Sequence, residues 1–133
     1  ALWYSLSNFS DQQVLKTCEY YFDTDCKYGR KLEPEASWLV RRAIGSTLAN
    51  HVSNPGILEL LLCLLESEYW QEQCIALIGL RYLIRKDDEI LKRVIRLVAD
   101  KTIRRVDAVW LASLIHPTIR IQIGEYFWIQ HLH

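Results

Sequence analysis

The sequence predicts an all-α domain of six or seven short helices. Three observations carry this. Apolar residues recur at helical spacing in segment after segment. Strand-like alternation is confined to Ile119, Ile121 and Ile123. Glycine and proline number only five and three in 133 residues, too few for the tight turns of an all-β fold. The length suits a single domain, residues 1–133, and a composition of 50% hydrophobic and 24% charged residues is that of a folded chain with its own core.

The elements follow in order from their start and stop signals. Ser10 and Gln13 form a capping box, with Phe9 and Val14 at the two staple positions, so a helix begins at Ser10. Val14, Leu15, Cys18, Tyr21 and Phe22 give it one apolar face and carry it to about Asp23. Residues 23–33, with Gly29 and many charges, read as a loop. Pro34 suits the first turn of a second helix reaching about Asn50. Asn54-Pro55-Gly56 marks the next turn, and a third helix runs to about Ser67, with Glu59 and Glu66 on its wet stripe. A fourth spans about Tyr69 to Arg85. Its middle, Cys74 to Leu80, is apolar all round and must be buried on several sides. Asp87-Asp88-Glu89 opens a fifth helix with acids at its positive end. Asp100 or Thr102 caps a sixth, which His116-Pro117 stops. Pro117 and Tyr126-Phe127 favour a seventh helix over a strand.

Three segments align at a spacing of about 32 residues. They are Arg41-Arg42-Ala43-Ile44-Gly45, Glu72-Gln73-Cys74-Ile75-Ala76 and Arg104-Arg105-Val106-Asp107-Ala108. A polar pair opens each, and a small residue (Gly45, Ala76, Ala108) closes it, so that a neighbouring helix can approach closely. Each aligned helix follows a shorter one, which makes the unit a helical hairpin. Val40-Arg41 and Ile103-Arg104 match the V-R-x-x-A type pattern of a repeat's second helix. On these residues the stretch 35–115 resembles the HEAT-like helical-repeat family, with Gln71-Glu72 departing from the pattern in the middle repeat. The resemblance implies a short right-handed solenoid of antiparallel hairpins whose inner helices line a groove.

Motifs for catalysis and cofactors are missing. The chain has no glycine-rich phosphate loop, no H-E-x-x-H and no G-x-S-x-G, so neither an enzyme nor a bound cofactor is expected. Its four histidines and four cysteines match no metal-ligand spacing. His51 and His116 fall at helix ends, where histidine meets the helix dipole. The cysteines read as reduced, mostly buried thiols. With no leader-like or membrane-spanning segment, a cytoplasmic location is expected. Sixteen basic and sixteen acidic residues balance, which argues against a nucleic-acid or membrane binder.

The expected function is therefore a non-enzymatic protein-binding module. Its sharpest form is a bacterial immunity protein that neutralises a cognate toxin. The alternatives are an adaptor or scaffold, or, with less support, a nucleic-acid-binding repeat domain. The candidate partner-binding residues are the polar openings of the inner helices, Arg41, Arg42, Glu72, Gln73, Arg104 and Arg105. Trp38 and Trp110 are the candidate anchors, because tryptophan and arginine dominate interface hot spots.

Overall fold

The structure is a computed structural model that describes residues 10–20, 34–100, 102–103, 106–116, 118–119 and 121. Among these it contains six helices and no strand: α1 Asp11–Tyr20, α2 Pro34–Ala49, α3 Pro55–Leu65, α4 Trp70–Lys86, α5 Asp88–Ala99 and α6 Val106–Ile115. Thr118, Ile119 and Ile121 are also helical. The expected loop at 23–33 and most of the expected seventh helix lie outside the described residues.

Local chemistry sets the helix starts. Ser10 Oγ accepts from the Gln13 N–H at 3.3 Å and Gln13 Oε1 accepts from the Ser10 N–H at 3.0 Å, the reciprocal capping box. Asn54 Oδ1 caps α3 by accepting from Gly56 N (2.9 Å) and Ile57 N (3.3 Å), with Pro55 in the first turn. Asp87 Oδ1 caps α5 in the same way, accepting from Glu89 N (3.0 Å) and Ile90 N (3.4 Å).

The helix faces follow their spacing. On α3, Ile57, Leu61, Leu64 and Leu65 are buried, each contributing about 1.5–3 kcal/mol of transfer free energy if fully withdrawn from water. Glu59, Cys63 and Glu66 lie on the opposite, exposed line. Cys63 therefore departs from the expectation of a buried thiol, because it falls between the two glutamates at i+4 from Glu59. Cys18 and Cys74 are buried free thiols, and Cys26 lies outside the described residues.

Residues Gln73 to Leu80 of α4 are buried without interruption, so this helix is covered all round. Its coats are α2, α3, α5 and α6, all of which pack on it, while α1 packs on α3. Contacts fix the directions. Arg41 midway along α2 meets Trp70 at the start of α4, and Gly45 further along meets Ile75 and Ile78, so α2 and α4 run the same way. Gln73 bonds Thr102 just before α6 and Arg85 bonds Ile115 at its end, so α4 and α6 also run the same way. The short 66–69 connection turns α3 back against α4, as short loops between packed helices require.

Two glycines permit these approaches. A Cβ on Gly45 would lie 2.7 Å from Ile78 Cβ and 3.0 Å from the Ile75 carbonyl oxygen of α4. A Cβ on Gly79 would lie 2.6 Å from Leu61 Cδ2 of α3. Ala76 and Ala108, which share Gly45's column in the repeat alignment, are both fully buried.

A polar joint ties α1 to the turn between α2 and α3. His51 Nδ1 and Asp11 Oδ1 are 2.7 Å apart, and Asn54 Nδ2 donates to Asp11 Oδ2 at 3.3 Å. The His51 hydrogen bond, aided by Asn54 and by the His51 charge, holds the Asp11 carboxyl below its ordinary range, outweighing partial desolvation. His51 Nε2 is buried with no hydrogen-bond partner. His51 thus follows α2 as expected, but its ring meets a carboxylate from α1 and not the helix carbonyls. His116 follows α6, where its Nδ1 accepts from Thr118 N at 3.1 Å.

Candidate partner-binding surface

The polar pairs of the aligned segments do not share one environment, and Arg41 and Arg42 lie midway along α2 instead of opening it, because the helix already starts at Pro34. Consecutive helical residues point about 100° apart, so one member of a pair can face the core while the other faces solvent. Arg42 is exposed, whereas Arg41 is only 6% exposed and its guanidinium lies 4.9 Å from the Trp70 ring centroid, a cation–π contact between α2 and α4.

Gln73 is 2% exposed, and its Nε2 donates to Ser67 O and Thr102 O, both at 2.8 Å. It clamps the connection before α4 to the connection before α6. Glu72 is half-buried and accepts from the Ser67 hydroxyl. The expectation that both members of each pair are open to a partner is therefore corrected for Arg41 and Gln73, which face the interior and hold it together. Arg104 and Arg105 lie outside the described residues. Trp38 and Trp110 sit on the backbones of α2 and α6, and their side chains are outside the described set.

A different surface emerges further along the same helices. Arg42 of α2, Ile78 and Arg81 of α4, and Leu111 and Ile115 of α6 line a cavity of about 150 Å³ open to solvent. Its floor is aliphatic and its rim carries two guanidinium groups. Around it stand three large apolar side chains left in water: Leu39 (62% exposed), Tyr82 (50%) and Leu114 (61%). Helical spacing puts them on the groove face. Leu39 precedes Arg42 by three residues, Tyr82 follows Ile78 by four, and Leu114 follows Leu111 by three. A volume of this order holds a benzene-sized group.

The groove arginines are held in place. The Arg81 guanidinium lies 4.8 Å from the Tyr82 ring centroid and its Nη2 reaches the Tyr82 hydroxyl at 3.4 Å. Arg85, one turn on, donates from Nε to Ile115 O at 3.0 Å. Of the residues singled out from sequence whose side chains are described, Arg42 alone lines this cavity. The signal for the rest was Ile78, Arg81, Tyr82 and Arg85 at i, i+3, i+4 and i+7, a stripe along one face of α4. The repeat alignment drew attention to the helix starts instead.

Among the described residues no group of three or more histidine, cysteine, aspartate or glutamate side chains is placed to hold a metal ion, and no helix is long and apolar enough to cross a membrane. No protein-family model matches the chain, and no curated protein or solved structure shows a significant similarity to it.

Proposed function

We propose that the chain is a non-enzymatic protein-binding module built as a short HEAT-like stack of helical hairpins, and that its partner docks on the face shared by α2, α4 and α6. The supporting observation is the groove itself, where exposed Leu39, Tyr82 and Leu114 surround an apolar cavity rimmed by Arg42 and Arg81. Water-exposed aliphatic and aromatic side chains grouped with arginines are the composition of interface hot spots. The repeat reading is supported by the same-way packing of α2, α4 and α6 and by the buried small residues Gly45, Ala76 and Ala108 at one column.

The sharpest form of this reading is a bacterial immunity protein, in which the face covers part of a toxin domain and blocks it. It rests on analogy with small helical inhibitors and not on a motif. The test has two steps. A photo-crosslinker at Leu114 identifies a partner, with the same label at Lys92 on α5 as the control. The purified pair is then measured with Arg42→Glu, an exposed position whose reversal should change stability by under about 0.5 kcal/mol. A loss of about 2 kcal/mol or more in binding is expected. A folded variant that binds as wild type removes this face. For the immunity form, co-expression should rescue cells from the crosslinked toxin domain, and failure to rescue returns the chain to the adaptor class.

A further inference from the structure

We propose that the groove takes an acidic segment of the partner protein, one apolar anchor flanked by aspartate or glutamate side chains. This deepens the protein-binding reading and rests on it.

The first ground is uncompensated charge. Arg42, Arg81 and Arg85 make no ion pair with any described carboxylate, whereas elsewhere Arg93 pairs with Glu66 and Lys92 with Glu89. The only described carboxylate side chain on α2, α4 and α6 is Glu72, which the Ser67 hydroxyl engages. It stands nine residues from Arg81, about 14 Å along the axis. Among the described residues, then, three arginines gather here with no carboxylate beside them, a charge pattern that an acidic ligand would complement.

The second ground is preorganisation. Arg81 is stacked on Tyr82, and Arg85 is anchored by Nε to the end of α6, which leaves its terminal nitrogens as a fork for a carboxylate. Fixing these long side chains beforehand lowers the ordering entropy of binding.

The third ground selects protein over nucleic acid. The cavity floor of Ile78, Leu111 and Ile115 and the exposed Leu39 and Leu114 offer nothing to a hydrated phosphate backbone. Tyr82, the aromatic on this face among the described side chains, has one ring face already covered by Arg81. An apolar side chain in the cavity with carboxylates reaching to Arg42 on one side and Arg81 and Arg85 on the other uses every feature.

The test uses labelled peptides and fluorescence anisotropy on the full chain. The probe carries leucine and phenylalanine anchors flanked by glutamate. The comparisons are the same peptide with lysine for glutamate, the same peptide with serine for the anchors, and a single-stranded oligonucleotide. Binding of the acidic, apolar probe is expected to exceed that of both altered peptides by about tenfold or more. Arg42→Glu with Arg81→Glu should abolish that preference, and Arg42→Lys with Arg81→Lys should weaken it by losing the fork, both with unchanged melting temperature. Leu114→Ser should weaken the probe without altering its salt dependence.

Equal binding of the lysine peptide, indifference to the arginine variants, or no binding of the acidic probe at millimolar concentration would overturn the proposal. The crosslinking result at Leu114 would remain intact in each case, so protein binding itself would stand. Oligonucleotide binding that the arginine variants abolish would overturn both readings.

Discussion

A methyl group on Gly45 would meet two atoms that cannot swing aside, the Cβ of Ile78 at 2.7 Å and the carbonyl oxygen of Ile75 at 3.0 Å. On Gly79 it would meet the far end of Leu61, whose δ carbons can change rotamer. Alanine also gains about 1 kcal/mol of helix propensity over glycine in both places. Gly45→Ala should therefore be destabilising by about 1–3 kcal/mol and Gly79→Ala distinctly less so, as read from denaturant midpoints. Equal midpoints for the two variants would mean that α2 and α4 are not in the contact described. Ala76→Leu, at a fully buried position, should cost about 1–3 kcal/mol by the same overpacking. Asp11 gives a residue-level pH dependence. Its folded carboxyl titrates below the ordinary value of 3.8, so its contribution is complete above that value and is lost as pH falls through the lower, folded one. Asp11→Asn should flatten the acid limb of the stability curve below about pH 4, and an unaltered acid limb would separate Asp11 from His51.

At the scale of the element, starts and faces were readable where the information is local. Ser10 and Gln13, Pro34, Asn54-Pro55 and Asp87 each bond or initiate within three residues of themselves, so the capping box and the openings of α1, α2, α3 and α5 stood in the sequence before any contact was known. The uninterrupted burial of Cys74 to Leu80 was legible for the same reason, because a helix apolar on every side has nowhere to go but inward. The candidate surface was not legible to that degree. Whether Arg41 or Arg42 faces out depends on where α4 lies, and Gln73 points inward because two carbonyls from separate connections, Ser67 and Thr102, converge on it. Such convergence is a long-range fact that spacing within one helix does not encode. Gln73→Ala should strand both carbonyls and cost about 1–3 kcal/mol, whereas Asn54→Ala should cost about 1 kcal/mol by uncapping α3. A Gln73→Ala variant as stable as wild type would show that water replaces the clamp.

At the scale of the whole molecule, the arrangement is a set of helices around one. Because α2, α3, α5 and α6 all pack on α4, removing α4 would expose the inner faces of four neighbours at once, which couples them into a single cooperative unit. This differs from a long repeat array, where each unit leans only on its nearest neighbours and the ends can unravel independently. With three aligned helices the middle one touches both others, so the array is too short to divide. By contrast α1 packs on α3 and is secured by the exposed side of the Asp11–His51–Asn54 joint, so it stands outside that unit. Native-state hydrogen exchange should then show the amides of α2, α4 and α6 exchanging with one shared free energy, and those of α1 through a smaller opening. Asp11→Asn should quicken exchange in α1 and leave α4 unchanged, while Ala76→Leu should quicken all of the helices around α4 together. If α6 exchanged independently of α4 in the wild type, α4 would not be the shared support, and the groove between them would have no fixed shape to offer a partner.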